Sequence, residues 1–439
     1  MYHFIGIKGS GMSALAQIMK QLGYDVQGSD LEKHFFTQIG LEDSNITILP
    51  FDENNIKEGM KIVQGPAFDD TNPEVKKSKE LDLNIFSYNQ MVGSLSRKFK
   101  SICVAGCHGK TTTTTMFSQV LDSILGCNYL IGDGTGSACA ENELFVLEAC
   151  EYRRHFLEYN PVYAIITNID LDHVDYFKDI DDVIDAYTNF CNKAEKMVIA
   201  CGDDSYTHYL QVNKPIFFYG LDEDNDIRAT DVEYKEDGIC FEVTIEGNYY
   251  GYFDLPIYGK HMLLDALAVI GTCYYERISA KDVSRELKKF KGAKRRFVET
   301  KVGNNIIIDD YAHHPNEVKA TLKAAKQKYP SKKIISVFQP HTFSRTEEFA
   351  EDFVNVLNNA DASFIMDIHP SRENQERYPG ITSSIILDKL KNGKSIKLDD
   401  AALLSEYENS VILFMSPNDI SVLENELIKL LEKKDCIEI

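Results

Sequence analysis

The sequence predicts an α/β protein of three domains, and three observations carry that prediction. Short apolar runs alternate with helical spacings along nearly the whole chain, the pattern of parallel sheets covered by helices. Glycine-rich strand-to-helix turns occur twice, at residues 6–11 and 106–111, far enough apart to belong to separate sheets. At roughly 100–200 residues per domain, 439 residues make two to four domains.

The elements follow in order. Tyr2 to Ile7 reads as a strand, and Gly6, Gly9 and Gly11 as a tight turn. Ala14, Leu15, Ile18, Met19 and Leu22 recur at helical spacing until Gly23 stops them; Tyr24 to Gly28 is the next strand and ends at Ser29 and Asp30. Lys61–Gln64 and Asn84–Ser87 add short strands. Ser101–Ala105 opens a second domain near residue 99, continued by Phe145–Glu148, Ala164–Asn168 and Met197–Cys201. Residues 205–255 change to short alternating runs such as Gly238–Ile245 and Tyr249–Phe253, a small antiparallel insert. A further shift near Arg295, Arg296 and Phe297 begins the third domain. Its strands are Asn305–Asp310, Lys333–Gln339, Ala362–Asp367 and Val411–Met415, separated by helices such as Pro315–Lys328 and Glu347–Asn358. The domains are thus placed at 1–98, 99–297 and 298–439, the first and last Rossmann-like, the middle one a P-loop-type domain.

Composition narrows the function. The formal net charge of −21 argues against a general nucleic-acid or anionic-membrane binder, which needs a basic face. No apolar stretch approaches the roughly 18 residues that span a bilayer. Ten cysteines, none in a C-x-x-C pair, and an N-terminus without a basic leader predict reduced thiols in a cytoplasmic protein.

The strongest local motif is Gly106, Cys107, His108, Gly109, Lys110 and Thr111, followed by Thr112 and more threonines. Its backbone N–H groups can wrap phosphate oxygens at a helix N-terminus; Lys110 can neutralise β- and γ-phosphate charge, and the Thr111 hydroxyl can ligate Mg²⁺. Val104 stands where the usual motif has its first glycine, so the loop is a short variant. Glu148, at the C-terminal end of an apolar strand, Glu151, three residues on, and His173, just past the next apolar strand, lie where parallel sheets bind ligands. Alone, each is an ordinary solvated loop residue; beside a phosphate loop they become candidates. In the third domain, Asp309 to Pro315 contains Tyr311, His313 and His314, and Phe338 to Thr346 contains His341 and Arg345. Adjacent histidines rarely address one ion, so proton, phosphate or carboxylate contacts are expected there. Arg345 can clamp a carboxylate; the competing expectation is a surface pair with Glu347 or Glu348.

These motifs, with Gly6 to Ser13, Glu148 to Glu151, Thr167 to His173, His261 to Leu267 and Lys294 to Phe297, together resemble the Mur ligase family, in the family's order and over nearly the whole chain. The resemblance implies a first domain for a UDP-sugar, a central ATPase domain and a third domain that closes on an amino acid. It implies ATP-driven joining of L-alanine to the lactyl carboxylate of UDP-N-acetylmuramate through an acyl phosphate, with ATP and Mg²⁺, in a monomer or homodimer. By the same resemblance Lys110 holds phosphates, Thr111 and Glu148 hold one Mg²⁺, and His173 a second. His261 and Asp265 lie near adenine. Tyr311, His313, His341 and Arg345 surround the amino acid, and Gly9, Ser10, Gly11 and Met12 receive the UDP part. The chain departs from the family where Asp265 replaces a common Asn, where Thr342 replaces a frequent Arg, at Ser416 to Asp419, and over Glu148 to Arg154, where Glu-Ala-Cys-Glu-Tyr-Arg-Arg stands in place of Glu-Ala-Asp-Glu-Ser-Asp. Competing readings are a recycling ligase that adds a tripeptide, a nucleotide-binding regulator, and an NAD(P)-dependent oxidoreductase with Asp30 on the ribose. A hydride-transfer enzyme needs no γ-phosphate site, which counts against the last.

Overall fold

Each of three sheets is laid down by its own contiguous stretch of sequence. The structure is a computed structural model and describes residues 1–35 and 37–437. In the first domain, Tyr2–Ile5 (β1), Val26–Ser29 (β2), Thr47–Leu49 (β3), Lys61–Gln64 (β4) and Asn84–Ser87 (β5) form a parallel sheet in the order β3-β2-β1-β4-β5. Order reverses between β2 and β4 around β1, so the switch point lies at the C-terminal end of β1, where the glycine turn sits. β1 ends at Ile5, two residues earlier than the apolar run, because Gly6 takes φ +81° and turns the chain.

The central sheet has ten strands. They are Lys100–Ala105 (β6), Cys127–Leu130 (β7), Gly136–Ser137 (β8), Leu144–Glu148 (β9), Tyr163–Ile166 (β10), Met197–Cys201 (β11), Ile216–Gly220 (β12), Ile227–Lys235 (β13), Gly238–Ile245 (β14) and Asn248–Leu255 (β15). Their order is β15-β14-β13-β12-β11-β10-β6-β9-β7-β8. The antiparallel stretch differs from the expected insert in one respect. β12 pairs in parallel with β11 and with β13, and the antiparallel pairs of this stretch are β13–β14 and β14–β15, so the meander extends the sheet. β10 ends at Ile166, which leaves Thr167 and Asn168 in the loop beyond it.

Alternation along β6 divides the core. Ile102 and Val104 pack with Phe117, Val120 and the helix Lys260–Tyr275 on one face. Cys103 and Ala105 face the other side, in a cluster that runs through Phe190 into Leu15 and Phe4 of the first domain. The first and central domains thus share a core. The third domain orders its strands β16-β17-β21-β18-β19-β20: Val298–Val302 (β16), Asn305–Asp310 (β17), Lys333–Phe338 (β18), Ala362–Ile365 (β19), Gly393–Ser395 (β20) and Ser410–Met415 (β21). Only β16 is antiparallel. The helix expected over Glu347–Asn358 divides at Phe349 into Phe343–Glu348 and Ala350–Leu357. No helix of the described residues is long and apolar enough to cross a membrane, and the nine cysteines whose side chains are described are free; Cys436 lies outside that set.

Candidate active site

The phosphate-type loop leaves the end of β6 and turns directly into the helix Lys110–Leu125, capped by Gly109. Gly106 and Gly109 have φ +149° and +81°. A Cβ on Gly109 would lie 2.7 Å from Asp265 Oδ1, and one on Gly106 would run into Thr167 Oγ1. Both glycines are required by conformation and by space. The loop beyond β10 stitches it in place. His108 N donates to Asn168 Oδ1 at 2.9 Å, Asn168 Nδ2 donates to His108 O at 2.9 Å, and Thr167 Oγ1 donates to the same carbonyl at 2.5 Å.

Lys110 folds back over the loop, donating to the carbonyl oxygens of Gly106 and Cys107, and pairs with Glu151 at 3.0 Å. Burial alone would lower its pKa, but Glu151, with Cys150, Glu148 and Cys107 behind it, together outweigh burial and keep the ammonium above its ordinary value. Glu151, 1% exposed, also faces His173 Nε2 at 3.5 Å. Burial opposes its ionisation, and Lys110 and His173 more than offset that, so its pKa is lowered. Glu148 Oε2 accepts from the Thr111 hydroxyl at 2.9 Å and from Gly132 N at 3.0 Å. His173 is held at φ +51° and its buried Nδ1 has no partner.

These donors fit Mg²⁺. A hydroxyl and a carboxylate in contact offer hard oxygens, and His173 has an unused ring nitrogen beside a second carboxylate.

The two residues expected near adenine, His261 and Asp265, both lie on the helix Lys260–Tyr275. Asp265 is 5% exposed and accepts from Thr113 Oγ1 at 2.9 Å. Burial raises its pKa to about 7 against that hydrogen bond. Burial, with Arg296, lowers that of His261 to about 4.

The third domain meets this edge through charge. Arg345 Nη2 donates to Asp172 Oδ1 at 2.6 Å, and Nη1 lies 3.2 Å from His341 Nδ1. The two side chains of that pair are 7% and 9% exposed. Breaking such a buried pair typically costs about 3–5 kcal/mol. The partner is therefore Asp172, and neither Glu347 nor Glu348. His341 is pushed to about 3, by burial first and then by His313, Arg345, His369 and Arg372. His108 reaches Asp170 at 3.3 Å and Glu317 at 3.2 Å; burial lowers its pKa, and the two carboxylates carry it to about 9. Glu317 also takes His313 Nδ1 at 3.0 Å. The Tyr311 ring lies 5.6 Å from the His313 ring, and the His313 ring 5.8 Å from that of His341. A further cross-domain pair, Arg372 with Asp175 at 2.9 Å, is 43% and 22% exposed and belongs to the class contributing about 0–1 kcal/mol.

In the first domain, Gly9 caps the helix Ser10–Gln21, so Ser10, Gly11 and Met12 form its first turn, whose N–H groups have no partner within the helix and can receive an anion. The Met12 side chain is 4% exposed and packs in the core, so it offers backbone only. Asp30, read as a possible ribose ligand, accepts from Lys8 N and Leu31 N, both at 2.7 Å, and so braces the turn. Ser416, Pro417 and Asn418 present their carbonyl oxygens to the Arg295 guanidinium at 2.8, 3.2 and 2.9 Å.

Sequence comparison matches residues 1–100 to the Mur ligase family catalytic domain, 104–273 to the Mur ligase middle domain and 295–416 to the Mur ligase glutamate ligase domain. The chain belongs to the Mur ligase family. Among solved structures it is similar to the UDP-N-acetylmuramate–alanine ligase of Thermotoga maritima, with 25% identity, TM-score 0.79 and coverage of 99% of each chain. A murein peptide ligase of Psychrobacter arcticus shares the fold at 22% identity and TM-score 0.71, over 98% of each chain. So does the MurF ligase of T. maritima solved with ADP, at 17% identity and TM-score 0.65, over 93% of this chain and 95% of that one. The chain is thus a Mur ligase-family enzyme, an ATP-dependent acid–amino-acid ligase. Asp172 and Arg372 escaped sequence reading; Asp172 adjoins His173, but the sequence gives Arg372 no motif.

Proposed function

We propose that the chain joins L-alanine to the lactyl carboxylate of UDP-N-acetylmuramate at the expense of ATP, in the cytoplasmic stage of peptidoglycan precursor synthesis. One observation carries the reading. The central sheet brings Lys110, Thr111, Glu148, Glu151 and His173 to one edge, and Arg345 and Glu317 bind across that edge to Asp172 and His108, bringing Tyr311, His313 and His341 with them. The likeness over 99% of both chains to an alanine-adding ligase favours L-alanine as the acceptor.

A carboxylate does not acylate an amine at neutral pH, because its oxygen is a poor leaving group. Transfer of the γ-phosphoryl group to the lactyl carboxylate releases ADP and gives an acyl phosphate. The alanine amine then attacks the carbonyl carbon and phosphate leaves. Residues 106–112 wrap the phosphates with backbone N–H groups, and Lys110 moves its charge from Glu151 onto the β- and γ-oxygens. His261 and Asp265 face the base, and Gly9 to Met12 the pyrophosphate of the UDP-sugar. Thr111, Glu148 and His173 would hold Mg²⁺, which offsets repulsion between carboxylate and triphosphate. His313 donates its Nδ1–H to Glu317 and the Tyr311 carbonyl in a shared hydrogen bond, which leaves the Nε2 lone pair to take a proton from the incoming ammonium. Arg345 donates to His341 Nδ1, so the neutral ring carries its proton on Nε2 and serves as a donor. The test is ADP release with UDP-N-acetylmuramate while the acceptor is varied. Release that depends on L-alanine is expected; release only with a tripeptide moves the chain to precursor recycling.

A further inference from the structure

Two guanidinium groups of the third domain face the central sheet, and they are held with different firmness. Arg345 is almost fully buried, with one Nη on Asp172 and the other beside His341. Arg372 is 43% exposed and forks onto Asp175, Nη2 to Oδ1 at 2.9 Å and Nε to Oδ2 at 3.3 Å. Asp175 thus occupies the two-point contact that a free carboxylate would take.

The placement of Arg372 is fixed. Its loop is stapled to the start of the helix Phe343–Glu348: Thr342 N donates to His369 O at 2.9 Å, and Phe343 N and Ser344 N donate to Glu373 Oε2 at 2.6 and 3.1 Å. The rings of His341 and His369 stack at 5.7 Å. The Arg372 guanidinium lies 4.7 Å above the Tyr152 ring, which is 4.8 Å from the His173 ring and donates its hydroxyl to Asp175 at 3.0 Å. One aromatic ring therefore separates Arg372 from His173, which in the ligase reading would help hold Mg²⁺ beside the reacting carboxylate. An α-amino acid whose nitrogen reaches that centre carries its own carboxylate carbon two bonds away. Thr342, at the foot of the same loop, supplies no charge.

We propose that Arg372 determines specificity for the amino acid: it exchanges Asp175 for the α-carboxylate of the incoming substrate, while Arg345 stays on Asp172 as a positioning residue. The inference rests on the ligase reading and deepens it by naming the group that recognises the acceptor's acid end. Asp175 is then a competitor of the substrate, and the two members of the pair have opposite effects.

The test is steady-state ADP release by the full chain, each substrate varied in turn, for Arg372→Ala, Arg372→Lys and Asp175→Asn. Arg372→Ala should raise KM for L-alanine by about tenfold or more, with the KM values for ATP and UDP-N-acetylmuramate within about twofold. Arg372→Lys should fall between it and the wild type, because an ammonium cannot reproduce the fork. Asp175→Asn should lower KM for L-alanine by roughly two- to fivefold, having removed a weakly held rival. A pair that only straps the domains together predicts the same direction of change in the arginine and aspartate variants; that result, or an unchanged KM for L-alanine in both, overturns the proposal. If Arg372→Ala does not fold, the lysine and asparagine variants decide. Wild-type protein that releases no ADP with L-alanine sinks the ligase reading itself, whereas L-alanine-dependent release that ignores Arg372 sinks this assignment alone.

Discussion

At the scale of single residues, charge balance sets what each group can do. Lys110 keeps its proton because Glu151 and the other acidic groups around it together outweigh burial. Lys110→Ala should lower the ligation rate by about 10²–10³, the usual cost of losing a group aimed at transition-state charge. Near-normal turnover in a folded variant would remove Lys110 from the phosphate site. Asp265 has the opposite problem, since burial holds its carboxyl proton up to about pH 7. The folded state therefore binds a proton that the unfolded chain has already released. The associated stability is complete below about pH 4, declines as pH rises, and is gone above about 7. Asp265→Asn carries no such titration. The wild type should gain a few degrees of Tm over this variant as pH is lowered from 8 to 5; parallel Tm curves would show that Asp265 is ionised throughout.

At the scale of elements, the loop that carries Lys110 owes its shape to the loop beyond β10. Asn168→Ala removes two hydrogen bonds to His108, each contributing about 1 kcal/mol. ATP binding, measured by calorimetry, should weaken roughly tenfold or more, with a small loss of Tm. Unchanged affinity would mean that the phosphate loop holds itself. Much of this was legible in the sequence. Met197–Cys201, Gly238–Ile245, Asn305–Asp310 and Pro315–Lys328 coincide with observed elements, because each pairs a clear periodicity with a sharp stop. The glycine loop was equally plain, because only glycine meets its φ values and its close approach to Thr167 and Asp265. What the sequence hid was partnership. Nothing local ties Arg345 to Asp172, and the neighbouring Glu347 and Glu348 offered a false pairing. The strand read as Ala164–Asn168 ends at Ile166 because Thr167 and Asn168 turn to bind the phosphate loop, a demand set by tertiary structure.

At the scale of the whole molecule, the third domain is joined to the central one by charge, whereas the first and central domains share an apolar core. The His108 imidazolium, between Asp170 and Glu317, is one of those joints. Its pKa is raised to about 9, so its contribution is complete below about pH 6.5 and lost as pH rises through 9. Small-angle scattering should show the chain expanding between pH 7.5 and 10, and His108→Gln already expanded at pH 7.5. Identical scattering at both pH values in the wild type would mean that His108 does not hold the domains together. The long sequence separation of these joints also has a consequence during synthesis. Asp172 and Arg345 stand 173 residues apart, and His108 and Glu317 stand 209 apart. At about 5–20 residues per second, a ribosome finishes the central face roughly ten to forty seconds before it makes the residues that answer it. For that interval the nascent chain presents Asp170, Asp172 and Asp175 to water. An apolar junction of the same extent would leave the half-made protein adhesive; a charged one leaves it soluble until its partner arrives.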